Sequence, residues 1–303
     1  MSREGALPVS SVASRPSLSA ITELFKPVTW FPPMWAFACG VVGSGVPIAE
    51  HAGIAILGVV LAGPLVCATS QAVNDWFDRH VDAINEPHRP IPSGRIPGRW
   101  GLRIAILWTL VSLLVATALG PVGFAAAAAG LALAWAYSAP PLRLKRNGWW
   151  GNLACGVSYE GLAWITGAAV MAGGALPASG TFVLALLYSA GAHGIMTLND
   201  FKAIEGDERM GIRSLPVQLG IRGAAWAACI TMALPQVVVV AYLAREGQPW
   251  HAVAVAALLA GQLLMMKRFL AAPRERALWY SGFGVPLFVS GMMVAAFALR
   301  GMS

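Results

Sequence analysis

Apolar residues run along this chain in long unbroken stretches, and the polar positions crowd into the short intervals between them. From Ile104 to Leu142 no charged residue occurs at all. A bilayer crossing takes about 20 apolar residues, so this stretch predicts two helices joined at Gly120-Pro121. Read in the same way, the whole chain predicts nine helices, over 28–46, 53–76, 103–119, 121–138, 152–173, 179–200, 223–244, 251–267 and 277–299. The runs are continuous instead of alternating, which argues for helices and against the strands of a membrane barrel. Pro32-Pro33 should kink the first helix or delay its start. The expected fold is an all-α membrane protein built as a nine-transmembrane-helix bundle. Residues 1–27 read as a polar, Ser-rich tail without the apolar core of a cleaved signal, and 28–303 as a single membrane domain.

Composition agrees with the pattern. Hydrophobic residues make up 57% of the 303 and charged ones only 12%, against roughly a quarter charged in soluble domains. A water-soluble, disordered or disulfide-stapled fold is excluded on these grounds. The four cysteines, Cys39, Cys67, Cys155 and Cys229, lie in apolar runs without metal-ligand spacing and read as buried packing groups.

Charge then orients the bundle. With nine crossings, 19 of the 21 Lys and Arg fall on one side, and only Arg245 and Arg300 on the other. By the positive-inside rule the N-terminus is cytoplasmic and the C-terminus is outside. The net charge of +7 follows from topology and from attraction to anionic lipid headgroups, so no nucleic-acid partner is implied.

Acidic residues are fewer and more informative. NDWFDRHVD, residues 74–82, sets Asn74, Asp78 and Asp82 at i, i+4 and i+8, a spacing that stacks three oxygen ligands on one helix face. NDFKAIEGD, residues 199–207, repeats the pattern with Asn199, Asp200 and Asp207 and adds Glu205. Each is followed by a basic, proline-containing turn, Arg89 to Arg95 and Arg213 to Gly220, which suggests two weakly repeated halves. Oxygen clusters of this type suit Mg²⁺, which keeps several waters and bridges one or two carboxylates to substrate phosphates. Two facing clusters would hold two such ions on one diphosphate, with Arg or Lys on the remaining oxygens. A transporter is the competing class, but transporters tend to set their ion ligands near the midplane, whereas both clusters here lie on one border.

With those motifs the chain resembles the UbiA-type intramembrane prenyltransferases. INEPHRPIPSGRI (84–96), YSAPPLRLKRNGWWGN (137–152) and NDFKAIEGDERMGIRSLPVQLG (199–220) resemble the bacteriochlorophyll and chlorophyll synthase subgroup, with RLKRNGWWGN and YEGLAW closer to the bacterial side. The resemblance implies a helical bundle around a central cavity and an active site facing the cytoplasm of a bacterial inner membrane. It also implies Mg²⁺-dependent transfer of a geranylgeranyl or phytyl group from its diphosphate to the propionate of (bacterio)chlorophyllide. Asn74, Asp78, Asp82, Asn199, Asp200, Glu205 and Asp207 become the expected metal ligands, with Asp78, Asp82, Asp200 and Asp207 central to catalysis. Where the family's second motif carries a middle Asp this chain has Ala203, so Asp200, Glu205 or Asp207 must compensate.

The same resemblance, with the position of these residues at helix ends, points to Arg89, Arg95, Tyr137, Ser138, Arg143, Lys145, Lys202 and Arg213 as diphosphate contacts. Since a carboxylate acceptor is ionised near neutral pH, no general base is expected. Glu160, a charge in mid-helix, and His193, shortly before Asn199, are candidates for the acceptor site. Within the same chemistry, a quinone precursor or haem is the alternative acceptor. Pigment-assembly proteins are the partners that the subgroup suggests.

Overall fold

The computed structural model describes residues 15–302. Arg3 and the first half of the expected tail therefore lie outside the described residues. Among those described the chain is helical, with no strand beyond one isolated bridge between Asn147 and Arg213. Among the described residues seven helices are long and apolar enough to cross a membrane, and Phe31–Gly43 is a shorter apolar one.

The chain opens with α1 (Leu18–Phe25), capped by Ser17, whose Oγ accepts from the Ala20 amide. Within the expected tail, then, 18–25 is an ordered helix. It is amphipathic, and Ala20, Leu24 and Phe25 are buried with Ala68, Ala72, Val73, Ile104 and Ala105 in a small second core. Next comes α2 (Phe31–Gly43), with Pro32-Pro33 in its first turn, where a proline's missing N–H costs nothing. The third run, α3 (Ile48–Asn85), is the one that carries the first motif. It passes through a π-helical segment, Leu61–Cys67, at Pro64, as expected where a proline interrupts the hydrogen-bond ladder.

The 39-residue helical stretch Trp100–Ser138 divides as its glycine-proline pair suggests. Gly120, at φ +77° and ψ 176°, separates α4 (Trp100–Ala116) from α5 (Gly120–Ser138). After it come α6 (Gly148–Met171), which contains a second π-helical segment at Val157–Leu162, and α7 (Ser179–Asp200), which matches its expected bounds. A short α8 (Ile204–Arg209) precedes α9 (Leu215–Arg245), α10 (Pro249–Ala271) and α11 (Pro273–Leu299).

Backbone closeness fixes the centre of the bundle. A Cβ on Gly40 of α2 would stand 2.0 Å from the Trp164 carbonyl oxygen of α6, and one on Gly167 would stand 2.1 Å from that of Phe37. Small residues let the two helices touch, the usual way helices associate where burial from water supplies no driving force. Around this crossing lies the main core, with Phe37, Trp164, Tyr188, Phe288 and Met292 fully buried.

Candidate active site

Both motifs lie at one end of the bundle, on a cavity of about 410 Å³ enclosed by α2, α3, α5, α6, α7 and α11. The body of the cavity is apolar. Asn74 and Asn199, the leading residues of the two motifs, are among its lining residues, as is Tyr137. Asn74 Nδ2 donates to Ser138 Oγ at 3.3 Å, which ties the first motif to the buried end of α5.

The first motif is a single helix face split between two sets of cations. Asp78, one turn after Asn74, meets Lys145 Nζ at 2.5 Å and Arg143 Nη2 at 3.6 Å. Both cations come from the loop after α5. Burial pushes the Lys145 amine below its usual range, and Asp78 acts against that by favouring the charged form. Asp82 instead accepts from Arg89 Nη1 at 2.9 Å. Asp75, which sequence spacing leaves without a role, is almost fully buried and joins the same network. Its Oδ1 accepts from Lys26 Nζ at 2.6 Å and faces Arg89 at 3.4 Å. Burial acts to lower the Arg89 pKa, but Asp75, Asp82 and the paired Glu86 outweigh it and hold the guanidinium above its usual range.

The second motif is not one helix face. Helix α7 ends at Asp200, 201–203 form a turn, and Asp207 belongs to α8. Asp200 Oδ2 is buried without a hydrogen-bond partner and lies within electrostatic reach of Asp207. Asp207 is itself buried, which raises its carboxyl, while the nearby Ser214 hydroxyl acts to lower it. Glu205 faces outward and pairs with Arg274, which holds its carboxyl low. The gap left at Ala203 is therefore flanked by Asp200 and Asp207, with Glu205 engaged on the surface.

The remaining expected residues divide the same way. Arg95 spans Glu23 of α1, at 2.5 Å, and the His88 carbonyl oxygen, at 2.6 Å, so it secures the loop outside the cavity. Lys202 is exposed. The side chain of Arg213 is exposed too, but its backbone matters. Its N–H donates to the Arg146 carbonyl and its carbonyl accepts from Gly148, each at 2.8 Å, which binds the Lys145 loop to the loop after the second motif. Glu160 lines the cavity. His193 does not. It is buried on another face of α7, its ring 5.4 Å from that of Trp149, and neither ring nitrogen has a partner.

Beyond Asp75 and Lys26, the structure adds a polar group that the sequence pattern does not reveal. Tyr159 Oη lies 3.1 Å from Ser70 Oγ and accepts from Gln71 Nε2 at 3.3 Å. Lys26 had a readable signal, since it directly follows the amphipathic run LSAITELF.

Among the described residues no three His, Cys, Asp or Glu side chains gather closely enough to hold a metal by themselves. A hard cation at this mouth would draw on one or two carboxylates, the Asn amide oxygens, water and the ligand's own oxygens, which is the way Mg²⁺ is commonly held. The unpartnered oxygen of Asp200 and the cavity-lining amides of Asn74 and Asn199 fit that donor set.

The chain matches the UbiA prenyltransferase family over residues 29–298. It is similar to the bacteriochlorophyll synthase 33 kDa chain of Rhodobacter capsulatus, with 57% identity over 96% of each chain. It is also similar to the chloroplastic chlorophyll synthase of Arabidopsis thaliana, with 40% identity over 91% of this chain and 73% of that one. Among solved structures, a UbiA homologue from Archaeoglobus fulgidus bound to DMAPP and Mg²⁺ has the same fold. The TM-score is 0.62 at 19% identity, over 94% of this chain and 100% of that chain.

Proposed function

The chain belongs to the UbiA prenyltransferase family, and on that premise we propose that it esterifies bacteriochlorophyllide with a geranylgeranyl or phytyl group. The observation that carries this reading is the polarity of the cavity. At one end it is lined by the amides of Asn74 and Asn199, with the Asp78–Lys145 pair one turn beyond Asn74, while its body is lined by apolar side chains. A prenyl diphosphate has the same division, a multiply charged head on a hydrocarbon tail. The similarity to a bacteriochlorophyll synthase at 57% identity supplies the acceptor class.

In this reading Asn74, Asp78 and Asp82 hold one Mg²⁺ and Asn199, Asp200 and Asp207 a second. Bound there, Mg²⁺ neutralises the charge that develops on departing diphosphate. Lys145, Arg143 and Arg89 pair with diphosphate oxygens, each exchanging part of its present carboxylate contact for the substrate. Tyr137 and Ser138 position the head group. The allylic C–O bond breaks, a propionate oxygen forms the new C–O bond, and diphosphate leaves with the electron pair. The acceptor is already ionised near neutral pH, so no side chain need remove a proton.

The same reading extends to topology. The chain crosses a bacterial inner membrane nine times, with the break at Gly120 separating two crossings and α2 supplying the short one. The Arg-rich loops, and with them the cavity mouth, face the cytoplasm. Residues 28–303 form one catalytic domain, and pigment-assembly proteins receive the lipophilic product.

To test this, purified protein is incubated with Mg²⁺, bacteriochlorophyllide and geranylgeranyl diphosphate, and the ester is sought by chromatography. The ester is expected with Mg²⁺ and not after chelation. Prenylation of a phenol in place of the macrocycle would overturn the acceptor and leave the family chemistry standing.

A further inference from the structure

Glu160 is the one carboxyl-bearing residue among those lining the cavity. It is 5% exposed, its Oε2 has no hydrogen-bond partner, and no cation pairs with it among the described residues. Its neighbour Tyr159 presents the opposite case, with its hydroxyl held by Ser70 and Gln71. An unpaired carboxylate in apolar surroundings is very costly, and even a neutral acid costs free energy until it finds a partner. The group belongs to the π-helical segment Val157–Leu162, a distortion frequent at functional sites. A hydrocarbon tail offers such an acid nothing, so its partner must come from the acceptor.

Depth identifies which part of the acceptor. Asn152, near the start of α6, donates to Thr197 Oγ1 at 3.2 Å and so lies level with the second motif. Glu160 follows eight residues later, which at 1.5 Å per residue is roughly 12 Å deeper into the bundle. A tetrapyrrole whose propionate reaches the mouth would extend its macrocycle to that depth. On the pyrrole next to the one that bears the propionate, bacteriochlorophyllide carries an acetyl group where chlorophyllide carries a vinyl group. We propose that Glu160 selects the acceptor, its carboxyl O–H donating to the oxygen of that acetyl substituent on the macrocycle's periphery. This assignment rests on the tetrapyrrole-esterifying reading given above.

The experiment compares kcat/KM for the acetyl- and vinyl-bearing macrocycles in the wild type, Glu160→Gln and Glu160→Leu. One neutral hydrogen bond predicts a preference of about tenfold for the acetyl acceptor in the wild type. Glu160→Gln keeps an N–H donor and should keep that preference. Glu160→Leu should bring the ratio near one through a raised KM for the acetyl acceptor, with the KM for the diphosphate unchanged. A leucine variant with the wild-type ratio, or one that loses both acceptors equally, overturns the assignment.

A second readout needs no variant. The acetyl C=O stretch of the macrocycle bound to the wild-type protein should lie at the lower, hydrogen-bonded frequency in resonance Raman spectra, and a free-carbonyl frequency also overturns the assignment. Should the wild type esterify neither macrocycle, the underlying reading falls, and this assignment with it.

Discussion

Asp78 and Asp82 stand one turn apart on α3 but answer to different cations, Asp78 to Lys145 and Arg143, Asp82 to Arg89. That difference separates their substitutions. Asp78→Asn keeps an oxygen for Lys145, so the protein should stay monodisperse in detergent, while ester formation in a single turnover falls at least a hundredfold for want of the ligand charge. Undiminished turnover in this variant would remove Asp78 from the metal site. Lys145→Met leaves the proposed metal ligands in place and removes the cation that pairs with Asp78. We expect it to raise the KM for the prenyl diphosphate by about tenfold or more, the scale of one charge-assisted hydrogen bond. The KM for the macrocycle should change little, and steady-state kinetics with each substrate varied in turn reads the difference.

At the scale of elements, what the sequence reveals depends on whether the signal is periodic. Continuous apolar runs locate α7 to the residue and divide α4 from α5 at Gly120, because apolar length and a glycine-proline break are local properties. The first motif is legible for the same reason, since NDWFDRHVD continues the α3 helix and its i, i+4 spacing has a fixed spatial meaning. The second motif shares the leading Asn-Asp and the closing Asp, yet its helix stops at Asp200, so equal spacing there does not mean a common face. The anchoring of Asp75 by Lys26 joins residues 49 positions apart and leaves no periodic trace.

The α2–α6 crossing is another contact of that kind, and it is directly testable. Gly40→Ala or Gly167→Ala would press a methyl group against a carbonyl oxygen of the facing helix. Thermal unfolding in detergent should show a loss of about 1–3 kcal/mol for each. Gly53→Ala, on α3 with no atom near its added Cβ, should be neutral or slightly stabilising in the same assay.

For the whole molecule, the arrangement of charge and cavity makes a topological demand. Asn74 and Asn199 line one cavity, so the loops that follow α3 and α7 must emerge on the same face of the bilayer. Between those points the chain runs through α4, α5, α6 and α7, an even number of crossings, which returns it to the starting face only if Gly120 is a true reversal. Gly120 meets Gly174, where an added Cβ would stand 2.7 Å from the Gly174 Cα, so the turns before α5 and after α6 come together at the end away from the motifs. On the proposed reading the Arg-rich loops mark the cytoplasmic face. Reporter fusions at Gly94 and Gly206 should both read cytoplasmic, and fusions at Gly174 and Gly247 should both read external. A cytoplasmic signal at Gly174 would mean that Trp100–Ser138 does not reverse at Gly120, and the two motifs could not then share one mouth. An external signal at both Gly94 and Gly206 would keep the shared mouth but turn it away from the cytoplasm, against the pull of the basic loops.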